Sequence, residues 1–195
     1  YFETRDPATN EILAEVPIAS SADIDSAVAA ARSAFEDGWR DMAPTERQLL
    51  MWRLGDLLDE HKDEFAMLEV LDNGKPLWEA EAVDIALSVE ILRYYAGWPT
   101  KIHGDLLPNS IPGLLSLRKR EPVGVVGAIA PWNFPLLEII YKIGPALAAG
   151  CTVVGKPASW TPLTTLRFAE LVVEAGIPPG VINILAGPGE SVGGG

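Results

Sequence analysis

The chain has 195 residues, of which 48% are apolar; a folded chain of this size buries roughly 70% of its unfolded surface, so a sizeable core can form. Its formal net charge is −12, and its 15 Lys and Arg are scattered along the sequence, which argues against a nucleic-acid-binding surface because phosphates need a basic face. No apolar run approaches the ~20 residues of a membrane-spanning helix and no signal peptide is visible, so we expect a cytoplasmic protein that does not bind membranes.

The N-terminal half predicts a hairpin followed by helices. Residues 1–19 contain the turn sequence DPATN and a short alternating stretch, which is typical of a hairpin or an edge strand. A capping box at Ser20–Asp23 and apolar spacings of three and four, which include Val28 and Leu49, then indicate helices. The predicted helices cover residues 20–38, 44–61, 65–71 and 79–95. Because they precede a sheet, we expect this region to cover at least one of its faces.

Residues 102–121 have a different sequence pattern. Gly and Pro residues interrupt short apolar stretches, and the basic run Arg118–Arg120 follows. The pattern predicts a β-hairpin that projects from the body of the protein, and a two-stranded ribbon is weak unless a partner surface covers it. An ordinary excursion that packs on its own domain is the alternative. The basic run is more typical of a solvated strand edge than of a phosphate site.

The remaining sequence predicts alternating strands and helices. Val123–Ala130 and Cys151–Gly155 are apolar runs of the kind found in parallel strands covered on both faces, and Val181–Leu185 is a third strand. Helical spacing connects them, first over Leu136–Leu147 with Gly150 as the C-cap and then over Pro162–Ala175. The order β-α-β-α-β places the protein in the α/β class, as one mononucleotide-binding half of a doubly wound, Rossmann-like open parallel sheet.

A turn that carries an Asn follows the first of these strands. Trp132, Asn133 and Phe134 lie at the carboxyl edge of the strand and at the start of the next helix, where open α/β sheets bind ligands. An Asn at this point is a placed hydrogen-bond donor. From the pattern alone, Asn133 is also a good candidate for a helix cap.

Several segments resemble the aldehyde dehydrogenase superfamily: PWNFP, GPALAAGCTVVGKPASWTPLT and EAGIPPGVINILAGPG, and upstream RDPATNEILAEVP, LDNGKP and LRYYAGW. The resemblance covers essentially the whole chain. Members of that family are more than twice as long, so we expect the N-terminal part of such an enzyme. By resemblance, residues 1–101 and 122–195 are an incomplete NAD(P)-binding domain, residues 102–121 are an oligomerisation arm, and the catalytic domain lies outside this chain.

The resemblance also implies roles for single residues. Asn133 is the donor that meets negative charge on the oxygen of the tetrahedral adduct, and Lys156 contacts the adenosine ribose. Ser159 departs from many NAD-preferring members, which have Glu at this position and so repel a 2′-phosphate; serine removes that charge, and NADP becomes acceptable. For Lys156 the alternative is a solvated side chain in a turn.

Further cofactor contacts are implied next to the strands. Ile129, Ala130, Pro131 and Trp132 would line the cofactor cleft, and Gly189 and Gly193 would let the backbone approach the adenine and ribose. Taken singly, each of these residues has an equal alternative in strand packing or turn geometry. The motif after the third strand has G-x-G but not the full dinucleotide fingerprint, so it is weak evidence by itself.

Cys151 is rejected as the nucleophile because it opens a buried apolar strand, which is the environment of an inert thiol. In the resembled family the nucleophilic Cys and the general-base Glu lie downstream of this position. Asp72 is a helix-end residue that could help to bind a monovalent cation there, but a turn at Asp-Asn-Gly is the better interpretation. His61 and His103 stand alone and no metal-ligand cluster is visible.

The resulting hypothesis is oxidation of an aldehyde to a carboxylic acid with NAD or NADP through a Cys thioester. The expected assembly is a homo-oligomer, either a dimer or a tetramer. A nucleotide-binding fragment without catalysis and a purely structural protein that uses the same fold are the alternatives.

Overall fold

The computed structural model describes residues 1–194, and its first element is the predicted N-terminal hairpin. Strand β1 (Phe2–Arg5) pairs antiparallel with β2 (Ile12–Val16). In the connecting turn, the carboxylate of Asp6 accepts a hydrogen bond from the Ala8 N–H at 2.7 Å. The hairpin interpretation of residues 1–19 is therefore confirmed.

Helices follow in the predicted order. They are α1 (Ser21–Ala34), α2 (Pro44–Glu60), α3 (Lys62–Asn73), α4 (Leu77–Glu79), α5 (Ala86–Ala96), α6 (Pro135–Ala149), α7 (Leu163–Glu174) and α8 (Gly189–Val192). The capping box of α1 forms as predicted, with Ser20 as the N-cap and Asp23 as its partner. Two π-helical segments, Phe35–Trp39 and Ala80–Ile85, extend α1 and join α4 to α5.

Some positions predicted to face the core do not. Val28 and Leu49 are exposed. On α2 the buried positions include Arg47, Met51 and Leu54, and Leu49 lies about 200° around the helix from Arg47. Spacing alone could not show which side of a helix with apolar residues all round meets the core.

The parallel sheet consists of β5 (Val125–Ile129), β6 (Thr152–Lys156) and β7 (Ile182–Ile184), side by side in that order. Its two faces are covered by different helices. The Thr152 hydroxyl donates to the Ala31 carbonyl of α1 at 3.0 Å, whereas Gly155 faces Ile139 of α6. Residues an odd number apart point to opposite faces of a strand, so α1 covers one face and α6 the other. The predicted α/β class with an N-terminal helical cover is confirmed.

The core lies between the sheet and the helices α2, α5, α6 and α7. Cys151 is 3% exposed, and its carbonyl accepts the indole N–H of Trp39 at 2.9 Å. It stands at the amino-terminal edge of β6, whereas Lys156 ends that strand. Five residues of extended chain separate the two edges by roughly 16 Å. Cys151 is therefore buried, as predicted, and lies away from the edge at which the sheet binds ligands.

Residues 102–121 form the predicted projecting hairpin, in which β3 (Asp105–Leu107) pairs antiparallel with β4 (Ser116–Arg118). Its leucines are between 42% and 69% exposed, namely Leu106, Leu107, Leu114, Leu115 and Leu117. The described residues leave much of these side chains uncovered, which argues against the alternative of close packing on the same domain. Arg118 pairs with Asp105 across the ribbon, as expected of a solvated strand edge.

Asp72 lies at the end of a helix, as expected, but it is not a turn residue. It is the penultimate residue of α3, and Gly74 adopts the left-handed conformation that ends the helix. The buried carboxylate accepts from the Thr4 hydroxyl at 2.6 Å and from the Leu163 N–H at 2.9 Å. Asp72 therefore connects β1, α3 and the start of α7. Within residues 1–194, no helix combines the length and the apolar character needed to cross a bilayer.

We expect Asp72→Ala to lower the free energy of unfolding by about 2–4 kcal/mol, since it leaves the Thr4 hydroxyl and the Leu163 N–H unpaired in a buried site. Asp72→Asn keeps one acceptor oxygen and should lose less. Urea denaturation of the purified variants measures both. The exposed Asp63, on the same helix, is the matched control, and Asp63→Ala should change stability by less than about 0.5 kcal/mol. Equal losses for Asp72→Ala and Asp63→Ala would contradict the connecting role.

Candidate active site at the carboxyl edge of the sheet

The segments that follow β5, β6 and β7 meet at one edge of the sheet. Ile129 pairs with Lys156 in the parallel register, and the next residue, Ala130, donates its N–H to the Lys156 carbonyl at 3.0 Å. On the other side, Leu185 donates to the Gly155 carbonyl at 2.9 Å. Parallel strands point the same way, so the residues just after them are neighbours. The structure thus places the predicted site segments at a common edge.

The turn that carries Asn133 is held by side chains from elsewhere in the chain. The Trp132 carbonyl accepts from the Asn73 amide at 2.8 Å and from the Thr161 hydroxyl at 3.2 Å. The Asn133 carbonyl accepts from the Lys75 ammonium at 3.0 Å. The Asn133 side chain itself is exposed and has no hydrogen-bond partner within residues 1–194. Its amide is therefore available to a ligand.

Asn133 is not a helix cap, so that interpretation is wrong. The N-cap of α6 is Phe134, which makes no side-chain capping bond, and Pro135 occupies the first helical position. The missing N–H of Pro135 is no loss at a helix start, and the side chain of Asn133 lies one residue outside the cap. The helix therefore begins without the Asn133 amide, which leaves that group no local structural task.

Lys156 is only 7% exposed, so the alternative of a solvated turn lysine is wrong. It is the last residue of β6, and its ammonium donates to the Pro157 carbonyl at 3.0 Å. Burial lowers its pKa. An ammonium has three N–H donors, and Pro157 is the one acceptor it has among the described residues. Donors remain for a ligand hydroxyl at the edge of the sheet.

Ser159 lies three residues after Lys156, beside an aromatic pair. It is half-buried and lines a pocket of about 620 Å³ together with Trp132 and Trp160. The ring centroids of Trp132 and Trp160 are 6.3 Å apart, and both side chains are more than half exposed. The Ser159 hydroxyl has no hydrogen-bond partner in the described part of the chain. Its surroundings combine apolar surface with an unused hydroxyl.

The other residues predicted to contact the cofactor differ in how exposed they are. Ile129 is 55% exposed at the edge, and Pro131 is exposed, whereas the Ala130 side chain is buried in the core. Gly189 opens α8, with open space where a side chain would be. At Gly193 an added Cβ would lie 2.7 Å from the Gly189 carbonyl oxygen, so a side chain there would disturb the turn. The local geometry therefore favours glycine at position 193 whether or not a ligand binds.

Comparison with known proteins gives the family. The family model described as Aldehyde dehydrogenase family matches residues 1–195. The chain belongs to the aldehyde dehydrogenase family. It is 54% identical over 193 residues to the Bacillus subtilis protein DhaS, and 49% identical over 193 residues to an aminoacetaldehyde dehydrogenase of Pseudomonas aeruginosa. Each of these alignments covers 98% of the chain.

A solved structure of an aldehyde dehydrogenase from Bacillus cereus in complex with NAD⁺ is 53% identical and superposes with a TM-score of 0.97. The comparison covers 99% of the chain. The chain spans about 39% of the length of this protein and of the two relatives above. The resemblance seen in the sequence is therefore confirmed, including the greater length of family members. The structural neighbour also carries the cofactor that the resemblance implied.

Sequence analysis of this aldehyde dehydrogenase family chain missed a buried ionic cluster beneath the Asn133 turn. We define it as Glu69 on α3, Lys75, and Asp84 in the π-helical segment; the two carboxylates are fully buried and the lysine nearly so. Lys75 forms an ion pair with Asp84, and its ammonium is 3.9 Å from a Glu69 oxygen. The sequence signal was weak: LDNGKP was visible, but the two acids lie on helices where acids are ordinarily solvated.

If both carboxylates and the ammonium were charged, one buried negative charge would have no partner, which is unfavourable in free energy. Burial, together with neighbouring Asp84, raises the pKa of Glu69 to about 8, although Lys75 and the Thr164 hydroxyl act in the opposite direction. If Glu69 is protonated, its O–H can donate to Asp84 Oδ2, which otherwise has no partner in the described part of the chain. The cluster is then neutral overall, with Lys75 paired to Asp84 and Glu69 uncharged.

We expect Glu69→Gln to become stabilising as the pH rises. The folded pKa of about 8 lies above the ordinary value of 4.5, so the stability contributed by protonated Glu69 is complete below pH 4.5 and is lost as the pH rises to 8. Glutamine does not ionise and avoids that loss. The stability difference between Glu69→Gln and wild type should therefore change by up to about 1.4 kcal/mol per pH unit in this window.

Thermal or urea unfolding of both proteins from pH 5 to 9 measures this difference. The exposed Glu60 at the end of α2 supplies the control, because Glu60→Gln should give a nearly constant difference over the same range. A constant difference for Glu69→Gln as well would mean that Glu69 is ionised throughout in the folded protein.

Proposed function

We propose that the full-length protein oxidises an aldehyde to a carboxylic acid with NAD⁺ or NADP⁺ through a Cys thioester. In this proposal residues 1–101 and 122–195 supply the cofactor-binding domain and the oxyanion donor. The nucleophilic Cys and the general-base Glu come from outside this chain. Membership of the family supports the reaction class, and a relative named for the oxidation of an aldehyde is 49% identical.

The observation that carries the proposal is the exposed, unpartnered amide of Asn133. It lies at the carboxyl edge of a parallel sheet and immediately before the N-terminus of α6. Attack of a thiolate on an aldehyde carbon turns the carbonyl oxygen into an oxyanion, and fixed donors lower the barrier when they wait where the charge develops. The positive end of the α6 dipole supports the same charge.

The remaining steps follow from this arrangement. Collapse of the oxyanion expels the hydrogen on the former aldehyde carbon as hydride, and a thioester forms. The nicotinamide of the cofactor supplies the hydride acceptor. Water then adds to the thioester, and the same amide N–H of Asn133 can meet the second oxyanion before the thiolate leaves. Asn133 holds no proton that is transferred; its task is electrostatic.

The residues at this edge fit a dinucleotide. Two exposed apolar side chains can face an aromatic or ribose ring: Ile129 at the last position of β5, and Trp132 three residues later. Lys156 has free donors at the end of β6, and Ser159 has a free hydroxyl in the described part of the chain. We assign Lys156 and Ser159 to the adenosine ribose, Ile129–Trp132 to the cleft, and Gly189 and Gly193 to the adenine side.

The assignment of Ser159 bears on cofactor choice. A carboxylate at this position would repel the 2′-phosphate of NADP, whereas a serine hydroxyl is uncharged and can donate to it. The neighbouring Lys156 adds positive charge. We therefore propose that the protein accepts NADP as well as NAD.

We further propose that residues 102–121 are an oligomerisation arm. The support is the row of exposed leucines on a two-stranded ribbon, which is too weak to be stable alone. A second copy of the protein, in a dimer or tetramer, would cover them. Sedimentation of the full-length protein with Leu115 and Leu117 changed to Ser would test this assignment through the oligomeric state.

For the full-length protein we expect Asn133→Ala to lower kcat by about 10²–10³, the usual loss for one oxyanion donor. Stability should be unchanged, because the Asn133 side chain neither caps α6 nor forms a hydrogen bond within the described residues, and the substitution keeps the backbone carbonyl that binds Lys75. Steady-state turnover and thermal unfolding measure the two effects.

A matched control is Asn183, whose amide donates to the Gly180 carbonyl at 2.7 Å. Asn183→Ala should lose stability and keep kcat. Normal turnover of a folded Asn133→Ala protein would remove the oxyanion role and with it the proposed mechanism.

We expect wild-type protein to use NADP at least comparably to NAD and Ser159→Glu to shift the preference towards NAD, because the new carboxylate repels the 2′-phosphate. The ratio of kcat/KM for the two cofactors is the measurement. Ser159→Ala controls for loss of the hydroxyl without added charge. A wild-type preference for NAD of more than about a hundredfold, or ~2.7 kcal/mol, would show that another group excludes NADP.

A further inference from the structure

Both peptide groups that flank Asn133 are fixed by side chains from distant parts of the chain. On one side, the Trp132 carbonyl is held by Asn73 and Thr161. On the other, the Asn133 carbonyl is held by Lys75. Because peptide groups are planar, the orientations of these two planes determine φ and ψ of the residue between them. We call the three side chains Asn73, Thr161 and Lys75 the clamp. The direction in which the Asn133 side chain leaves the backbone is therefore set by the clamp, and not by the turn alone.

The clamp is itself rigid. Lys75 follows directly on Gly74, whose left-handed conformation ends α3 and turns the chain towards the Asn133 loop. Its ammonium pairs with the fully buried Asp84 and lies 4.4 Å from the centroid of the Phe134 ring. A lysine that is nearly fully buried and has an anion, a carbonyl and an aromatic face around its ammonium has little freedom left. The buried ionic cluster thus ends in a single donor aimed at the Asn133 backbone.

We propose that Lys75 and Asn73 are positioning residues for the reaction, which fix the Asn133 backbone so that its amide already points at the developing oxyanion. The inference rests on the oxyanion role proposed for Asn133. Its physical reason is preorganisation: a donor stabilises a transition state most when no reorganisation is needed as the charge appears. Neither residue touches the reacting atoms in this account.

A purely structural role of the clamp predicts a different result. If the clamp only attached α3 to the turn, removing it would lower stability and leave kcat unchanged. If the clamp positions Asn133, removing the clamp misplaces the Asn133 amide and lowers kcat. The same change should have no effect on kcat in a protein that lacks this amide. Displacements of about 1 Å at an active site can cost up to about 10²-fold in rate.

The experiment uses two clamp variants of the full-length protein. Asn73→Ala removes one bond from a half-buried site and should fold. Lys75→Met combined with Asp84→Asn removes the other bond while neutralising both charges, so no lone buried ion remains. We expect each variant to lower kcat about tenfold or more and to change KM for the cofactor by less than about threefold. Thr152→Val, which breaks a buried bond at the opposite edge of β6, controls for general destabilisation and should keep kcat.

Both clamp changes are then repeated in the Asn133→Ala background, where they should cost no further turnover. Equal losses in both backgrounds would overturn the inference, because the clamp would then act on something other than Asn133. Full turnover of Asn73→Ala and of the Lys75 variant would also overturn it, with the oxyanion role intact if Asn133→Ala still loses 10²–10³. A normal kcat for Asn133→Ala would instead refute the proposed function itself. If the variant with both Lys75→Met and Asp84→Asn does not fold, the comparison of Asn73→Ala alone and combined with Asn133→Ala decides between the two roles.

Discussion

Parallel pairing of β5 with β6 is the constraint on which the site depends. Because the two strands run in the same direction and Ile129 is opposite Lys156, the chain must leave both strands at the same edge. The bond from the Ala130 N–H to the Lys156 carbonyl extends that pairing by one step beyond the register. Trp132 and Thr161 are then neighbours, joined by a hydrogen bond, although the α6 crossover separates them in sequence.

The N-terminal helices contribute more than a cover. Helix α1 closes one face of the sheet, while α2, α3 and α5 pack beyond α6 and α7. The end of α3 reaches the Asn133 turn, where Asn73 and Lys75 bind its backbone. Asp72, one residue earlier, connects the same helix to β1 and α7. Residues 72–75, at and just after the end of α3, therefore connect β1 and α7 to the turn that carries Asn133.

Burial of ions beneath that turn has a cost and a use. Removing the Lys75 and Asp84 charges from water is unfavourable, and the pair offsets this only with close geometry. The raised pKa of Glu69 favours its protonated form, in which the cluster is neutral. An apolar filling would be at least as stable, but it would supply no donor to the Asn133 carbonyl. The polar cluster is thus explained by the position it imposes and not by the stability it adds.

The sequence by itself determined the elements, their order and the edge at which the site lies, because apolar periodicity, caps and parallel connections are local or nearly local properties. It also indicated Asn133, and the resemblance carried by PWNFP and its neighbours indicated the family. Only the tertiary structure decided which helix faces are buried, so Val28 and Leu49 were misplaced. It alone showed that Phe134 and not Asn133 begins α6, and that the Asp72 carboxylate binds Thr4 and the start of α7.

The buried cluster was beyond the reach of sequence patterns for the same reason. Glu69, Lys75 and Asp84 come from three separate elements, and no spacing rule relates them; each would be interpreted as a solvated charge on its own. Their meeting depends on how α3 and the π-helical segment pack against the Asn133 turn. Local chemistry could name the donor that faces a ligand, but only the packing of distant elements determines what holds that donor in place.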